Sequence, residues 1–166
     1  MTPWLLLLLA MHPAAPETHL DSVYTRLADS CEALPTVEGG DESWACKGPD
    51  ELVVRIDFSA ADAALNAVMD TQGVEQPIDG ILGIDTERGV IEWRLAGELP
   101  IALIVRSTPI EWADDGSAHR GKAQTLEIRG VNRLMGFQSS IDVRTTPNAN
   151  ALARQQIDAA WAREQR

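Results

Sequence analysis

Cysteine is almost absent from this chain of 166 residues: Cys31 and Cys46 are the only two. Two thiols cannot build the four-ligand shell of structural zinc, and beyond the first stretch of chain only His19 and His119 could assist. Their spacing is neither the C-x-x-C of thiol redox proteins nor the C-x-x-C-H of haem attachment. No metal or cofactor is therefore expected. Basic residues are scarce as well. Lys and Arg total 14 against 25 Asp and Glu, a formal charge of -11 that repels phosphate backbones and excludes nucleic acid as a natural partner. There is no G-x-S-x-G elbow, no phosphate-cradling glycine loop and no H-E-x-x-H. The five tryptophans lack the interleaved basic residues of a nucleic-acid stacking platform, and Trp93 and Trp161 read as core.

What is present begins with a short apolar run, Trp4 to Met11, ended by His12, Pro13, Ala14, Ala15 and Pro16. Its length suits a signal-peptide h-region and falls well short of the about 20 apolar residues that cross a bilayer. Residues 1–15 are read as a signal peptide, with no stable membrane span once it is cleaved. The n-region, Met1-Thr2-Pro3, carries no Lys or Arg. A buried N-terminal segment, a start codon assigned slightly late and an uncleaved tether are the competing readings. No cysteine lies just after the run, so a lipid anchor there is not expected. In an oxidising compartment the two thiols are expected to pair, and in a reducing one they stay free.

Residues 20–166 have the length and composition of a single globular domain, without an internal repeat or a linker. Ser22 to Ala28 fits a short helix or an extended lead-in to Cys31, and Pro and Gly punctuate the segment around both cysteines. Glu51 to Phe58 alternates, with Leu52, Val54, Ile56 and Phe58 toward a core. Ser59 to Asp70 is ambiguous: its alanines and Ser59-x-x-Asp62 suggest a capped helix, but an extended segment fits too. Thr71 to Gly89 reads as turns and short extended pieces. Val90 to Leu95 alternates again, with Glu92 and Arg94 opposite Ile91, Trp93 and Leu95. Leu99 to Ser107 is nearly all apolar and reads as a central strand. Asp114 to Ser117 is a turn, and strands are expected at 124–129 and 140–144. From Pro147 the period becomes helical, with Ala149, Leu152, Ala153, Ile157, Ala160 and Trp161 on one stripe and Arg154, Gln155, Asp158 and Arg163 mostly toward water. The fold class expected is α+β: a mainly antiparallel sheet with a C-terminal amphipathic helix packed on it.

Few residues are candidates for chemistry. His119, near Asp114 and Asp115, reads as part of a solvated turn, because no other ligand type clusters there. Glu92 and Arg94 share a strand face, and with Arg106 they form the one polar cluster worth testing as catalytic. A carboxylate–guanidinium network on a sheet is more often structural.

Three blocks of sequence carry a resemblance. They are Tyr24-Thr25 and Cys31 with Glu38-Gly39-Gly40 and Trp44-Ala45-Cys46-Lys47-Gly48; then Ile91-Glu92-Trp93-Arg94 with Pro100 to Arg106; then Pro147-Asn148-Ala149-Asn150-Ala151-Leu152-Ala153-Arg154. In this order the chain resembles a family of small exported, periplasmic bacterial proteins of unknown function. The resemblance implies an address and a fold, and no substrate. It also implies a second cysteine pair, before the last strand and past the C-terminal helix. Here the first of those places reads Leu134-Met135-Gly136-Phe137, and no cysteine lies past the helix. That departure supports Cys31 pairing with Cys46 and leaves the C-terminal helix to depend on packing alone.

Two functions are consistent with these readings. The first is an exported, periplasmic or secreted, non-catalytic binding or envelope-associated protein with an unknown protein or small-molecule partner. The alternative is a hydrolase-type enzyme using Glu92, Arg94 and Arg106. An open pocket holding all three favours the enzyme; pairing across the sheet without a cleft removes it.

Overall fold

The run from Leu99 to Ser107 is apolar at both parities, which a strand needs only when both of its faces are covered. In the computed structural model, which describes residues 19–36, 40–59, 62–70 and 72–166, this is what surrounds it. Strands β1 (Leu20–Arg26), β7 (Val90–Ala96), β8 (Leu99–Ser107), β11 (Thr125–Gly130) and β12 (Gln138–Asp142) form one antiparallel sheet in the order β1-β7-β8-β11-β12. Strands β2 (Cys31–Ala33), β3 (Ser43–Lys47), β4 (Val53–Ser59), β5 (Asp62–Met69) and β6 (Glu75–Ile81) form a second, in sequence order. A small hairpin, β9 (Ile110–Trp112) and β10 (Ala118–Arg120), is separate from both.

The sheets share a core in which Val54, Ile56, Leu65 and Val68 meet Ile91, Trp93, Leu103 and Val105. On its other face the first sheet carries the C-terminal helix α2 (Ala149–Glu164), whose Ala149, Ala153, Ile157, Ala160 and Trp161 pack with Ala102, Ile104, Leu126 and Ile128. The order is sheet, sheet, helix, and β8 lies mid-sheet with apolar neighbours on both sides. The α+β class and the antiparallel pairing hold, but there are two five-stranded sheets where one was expected. The short helix α1 (Leu27–Ser30) carries the chain from β1 to β2, with Leu27 fully buried at the crossing.

Several local readings resolve. Residues 62–69 are strand, because the period of two in Ala63, Leu65 and Ala67 outweighs alanine's helix propensity. Asp62 caps no helix; its carboxylate accepts the N–H groups of Ala63 and Gly83. The last strand ends earlier than expected, at Asp142, whose side chain accepts the Arg144 N–H and turns the chain. His119 is on β10 rather than in a loop, paired with Glu111, and both are exposed. The leader falls outside the described residues. Among the described residues, no helix is long and apolar enough to cross a membrane.

Cys31 and Cys46 form a disulfide and are direct cross-strand partners, which fits an exported protein. The bond ties edge strand β2 to β3, next to the chain crossing. Trp93, on the opposite sheet, donates its ring N–H to Thr25 Oγ1 at 3.0 Å and stacks its ring edge on Gly48. A Cβ at Gly48 would lie 2.5 Å from that ring, so only glycine fits there.

Two predictions follow from these contacts. Replacing both cysteines with alanine removes a closed loop of moderate length and costs about 3 kcal/mol, measurable by urea denaturation under oxidising conditions. On the outer face of the second sheet, burial pushes the Asp57 carboxyl up. Hydrogen bonds from Asn66, from Ser43 and from the Arg55 guanidinium outweigh it and hold the group below the ordinary value. A depressed carboxyl stabilises the fold above its unfolded value near about pH 4 and loses that contribution as pH falls through the folded value. Asp57→Ala is therefore destabilising at neutral pH, and in denaturation curves the gap to wild type narrows as pH falls below about 4.

Candidate functional site

On β7 the alternation puts Glu92 and Arg94 on the face that α2 covers. Burying an unpaired charge costs several kcal/mol, so each needs a partner from the helix. Arg94 donates through Nε and Nη2 to both oxygens of Asp158, at 2.8 and 2.7 Å. Glu92 accepts from Arg154 Nε at 2.5 Å and Nη2 at 3.0 Å. Ser22 on β1 joins the pairs, donating to Glu92 at 2.8 Å and accepting from Arg94 Nη1 at 3.3 Å. Arg154 also reaches the Tyr24 hydroxyl at 3.2 Å. Its hydrogen bond to Glu92 raises the Arg154 pKa further above its ordinary value, so the guanidinium stays charged at any working pH.

Arg154 and Asp158 were expected to face water. They turn to the sheet because the spacing matches. Four helical residues rise about 6 Å and two strand residues span about 6.7 Å. An acid–base pair on β7 therefore meets a base–acid pair on α2, rung on rung. That complementary order was present in the sequence and is the signal that could have found Arg154 and Asp158. It also means that the helix is held by two ion pairs as well as by packing.

The ladder leaves part of the sheet bare. The helix begins at Ala149, and beyond its first turn the outer face of β7, β8 and β11 is open. There an open trough of about 350 Å³ is floored by Val90, Ile104 and Leu126. Tyr24 bounds it on the β1 side and Asn150 on the helix side. Arg106 projects into it from β8, its Nη1 donating to Gln124 at 2.8 Å. Arg88 enters from the loop before β7, where Asp85 Oδ1 accepts the N–H groups of Glu87 and Arg88 and folds the loop back. Gly89 permits that fold, since a Cβ there would strike the Asp85 carbonyl oxygen and the Leu27 side chain.

The three residues read as one polar cluster thus separate. Glu92 lies at the trough's edge but is committed to Arg154; Arg94 lies under the helix, paired and outside the trough; Arg106 alone is free of a carboxylate partner among the described residues. Arg88, Tyr24 and Asn150 were missed, because no sequence period brings a loop, an edge strand and a helix start together. Neither cysteine lines the trough. No group of three His, Cys, Asp or Glu side chains poised for a metal occurs among the described residues. No family model, curated protein or solved structure matches this chain.

The pair energetics are asymmetric. The Glu92 side chain is 6% exposed and that of Arg154 is 35% exposed. Arg154→Ala strands a buried carboxylate and costs about 3 kcal/mol. Glu92→Gln leaves a guanidinium that can turn to water and costs less. Adding Glu92→Gln to Arg154→Ala recovers part of the loss, which a double-mutant cycle in urea reads directly.

Proposed function

We propose that the protein is an exported, non-catalytic binding protein of the cell envelope, and that the trough is the seat of its partner. The observation that carries this reading is the state of the carboxylates there. General acid–base hydrolysis needs a carboxyl group free to exchange a proton with a bound substrate. Glu92 spends both oxygens on Arg154 and one also on Ser22, and Asp85 is bound through Oδ1 to its own turn. Beside these two carboxylates the space is lined by guanidinium, hydroxyl and amide groups, which bind and orient but supply no proton shuttle at neutral pH. The disulfide, the short apolar leader and the resemblance to small exported bacterial proteins all support the address.

The test uses protein purified from the envelope of its native host. Its intact mass is expected to lack about the first 15 residues and to lie two hydrogens below the dithiol form. Native mass spectrometry of the same sample is expected to show a heavier, ligand-bearing species that the Arg106→Glu variant lacks. A full-length mass with two alkylatable thiols overturns the address. Identical native spectra for wild type and variant overturn the trough as the binding site.

A further inference from the structure

Arg106 occupies an unusual position. It is the only charged residue of β8, a mid-sheet strand whose other residues are almost all buried, and it stands on the same face as the buried Ile104. A cation on the outer face of a central strand ordinarily finds a carboxylate from a neighbouring strand or from the covering helix. Both other ion pairs on this sheet face do so. Among the described residues Arg106 instead has only the Gln124 amide oxygen, which fixes one arm of the guanidinium. Arg88 lines the same trough and has no carboxylate within ion-pair distance among the described residues. In a chain with 25 acidic side chains against 14 basic ones, two arginines without an ion-pair partner among the described residues line one cavity, where Glu92 is already bound to Arg154 and Asp85 Oδ1 to its own turn.

The floor adds a second requirement. Val90 is 40% exposed and Tyr24 59% exposed, so the trough presents apolar surface beside its cations. A bare inorganic ion would leave that surface in water, whereas a ligand with an apolar body covers it. Its volume is at the small end for an organic ligand.

We infer that the trough is a site for a small organic anion, whose carboxylate or phosphate head is held by Arg106 and Arg88 while its apolar body lies over Val90, Ile104 and Leu126. This rests on the reading of the trough as a binding site and adds the ligand's chemical class. The overall negative charge of the protein does not oppose it at close range. That field is screened beyond about 8 Å at physiological salt, whereas a guanidinium in contact with its anion is not. Long polyanions still meet the acidic surface outside the trough, so the site selects small ligands.

The inference is tested by titrating the oxidised protein with three probes of similar shape: benzoate, phenyl phosphate and benzyl alcohol. Binding is followed by the methyl NMR signals of Val90, Ile104 and Leu126. At least one of the two anions is expected to shift these signals and to bind about tenfold or more tighter than the neutral alcohol. Which anion binds tighter identifies the head group. Arg106→Gln is expected to weaken that anion about tenfold with the resonances of the buried core unchanged, and Arg106→Lys, which keeps charge but loses the fork, to fall between. Benzyl alcohol binding as tightly as the anions, or an anion affinity indifferent to Arg106→Gln, overturns the anion site while the trough remains a binding site. No shift in those methyl signals with any probe overturns both.

Discussion

The placement of the C-terminal helix depends on one carboxylate. Glu92 sits on a strand that is buried on both faces, and a charge removed from water must be neutralised where it stands. Arg154 is the group that reaches it, and once that contact is made the second rung, Arg94 with Asp158, has no freedom of register. Apolar packing of Ile157 and Trp161, beside the alanines at 149, 153 and 160, holds the helix face to the sheet. The ion pairs select one position. Where the helix starts then determines how much of the sheet remains uncovered, so the trough is a by-product of the ladder.

The ladder and the disulfide hold different parts of the fold by different means. A covalent staple acts mainly on the unfolded chain, whereas paired charges act on the folded one and remain sensitive to partner loss. The disulfide lies on the far sheet, joining β2 to β3, and the helix is secured by electrostatics and packing.

Much of this architecture was legible in the residues. Alternation found β4 and β7, a continuous apolar run found β8, and the helical period from Pro147 found α2, because each pattern reports burial directly. Burial says which side chains leave water but not what covers them. Hence Glu92, Arg94 and Arg106 were grouped as one polar cluster, while the helix side chains that pair with the first two and the open space over the third were not foreseen. The ambiguity at 59–70 had the same root, since alanine satisfies a helix and a packed sheet equally well. The second sheet escaped notice because β2 and β3 are short and lie among loop-forming residues. The trough was the least legible feature of all, because Arg88 depends on an Asp85 turn and Asn150 on where a helix happens to begin.

The pairing of β1 carries a consequence for how the chain reaches this state. β1 is the first described strand, yet its partner is β7, and Ser22 and Glu92 are 70 residues apart. Made N-terminus first, the chain presents β1 long before β7 exists. Local hairpins such as β4–β5 and β7–β8 can form at once, but β1 waits with an unpaired edge until the middle of the chain arrives. Closing this strand also brings Thr25 to Trp93 and Ser22 to the ion-pair ladder. The edge of the first sheet, the inner core and the helix dock are thus joined by one long-range pairing, which carries a loop-closure cost that the local hairpins do not.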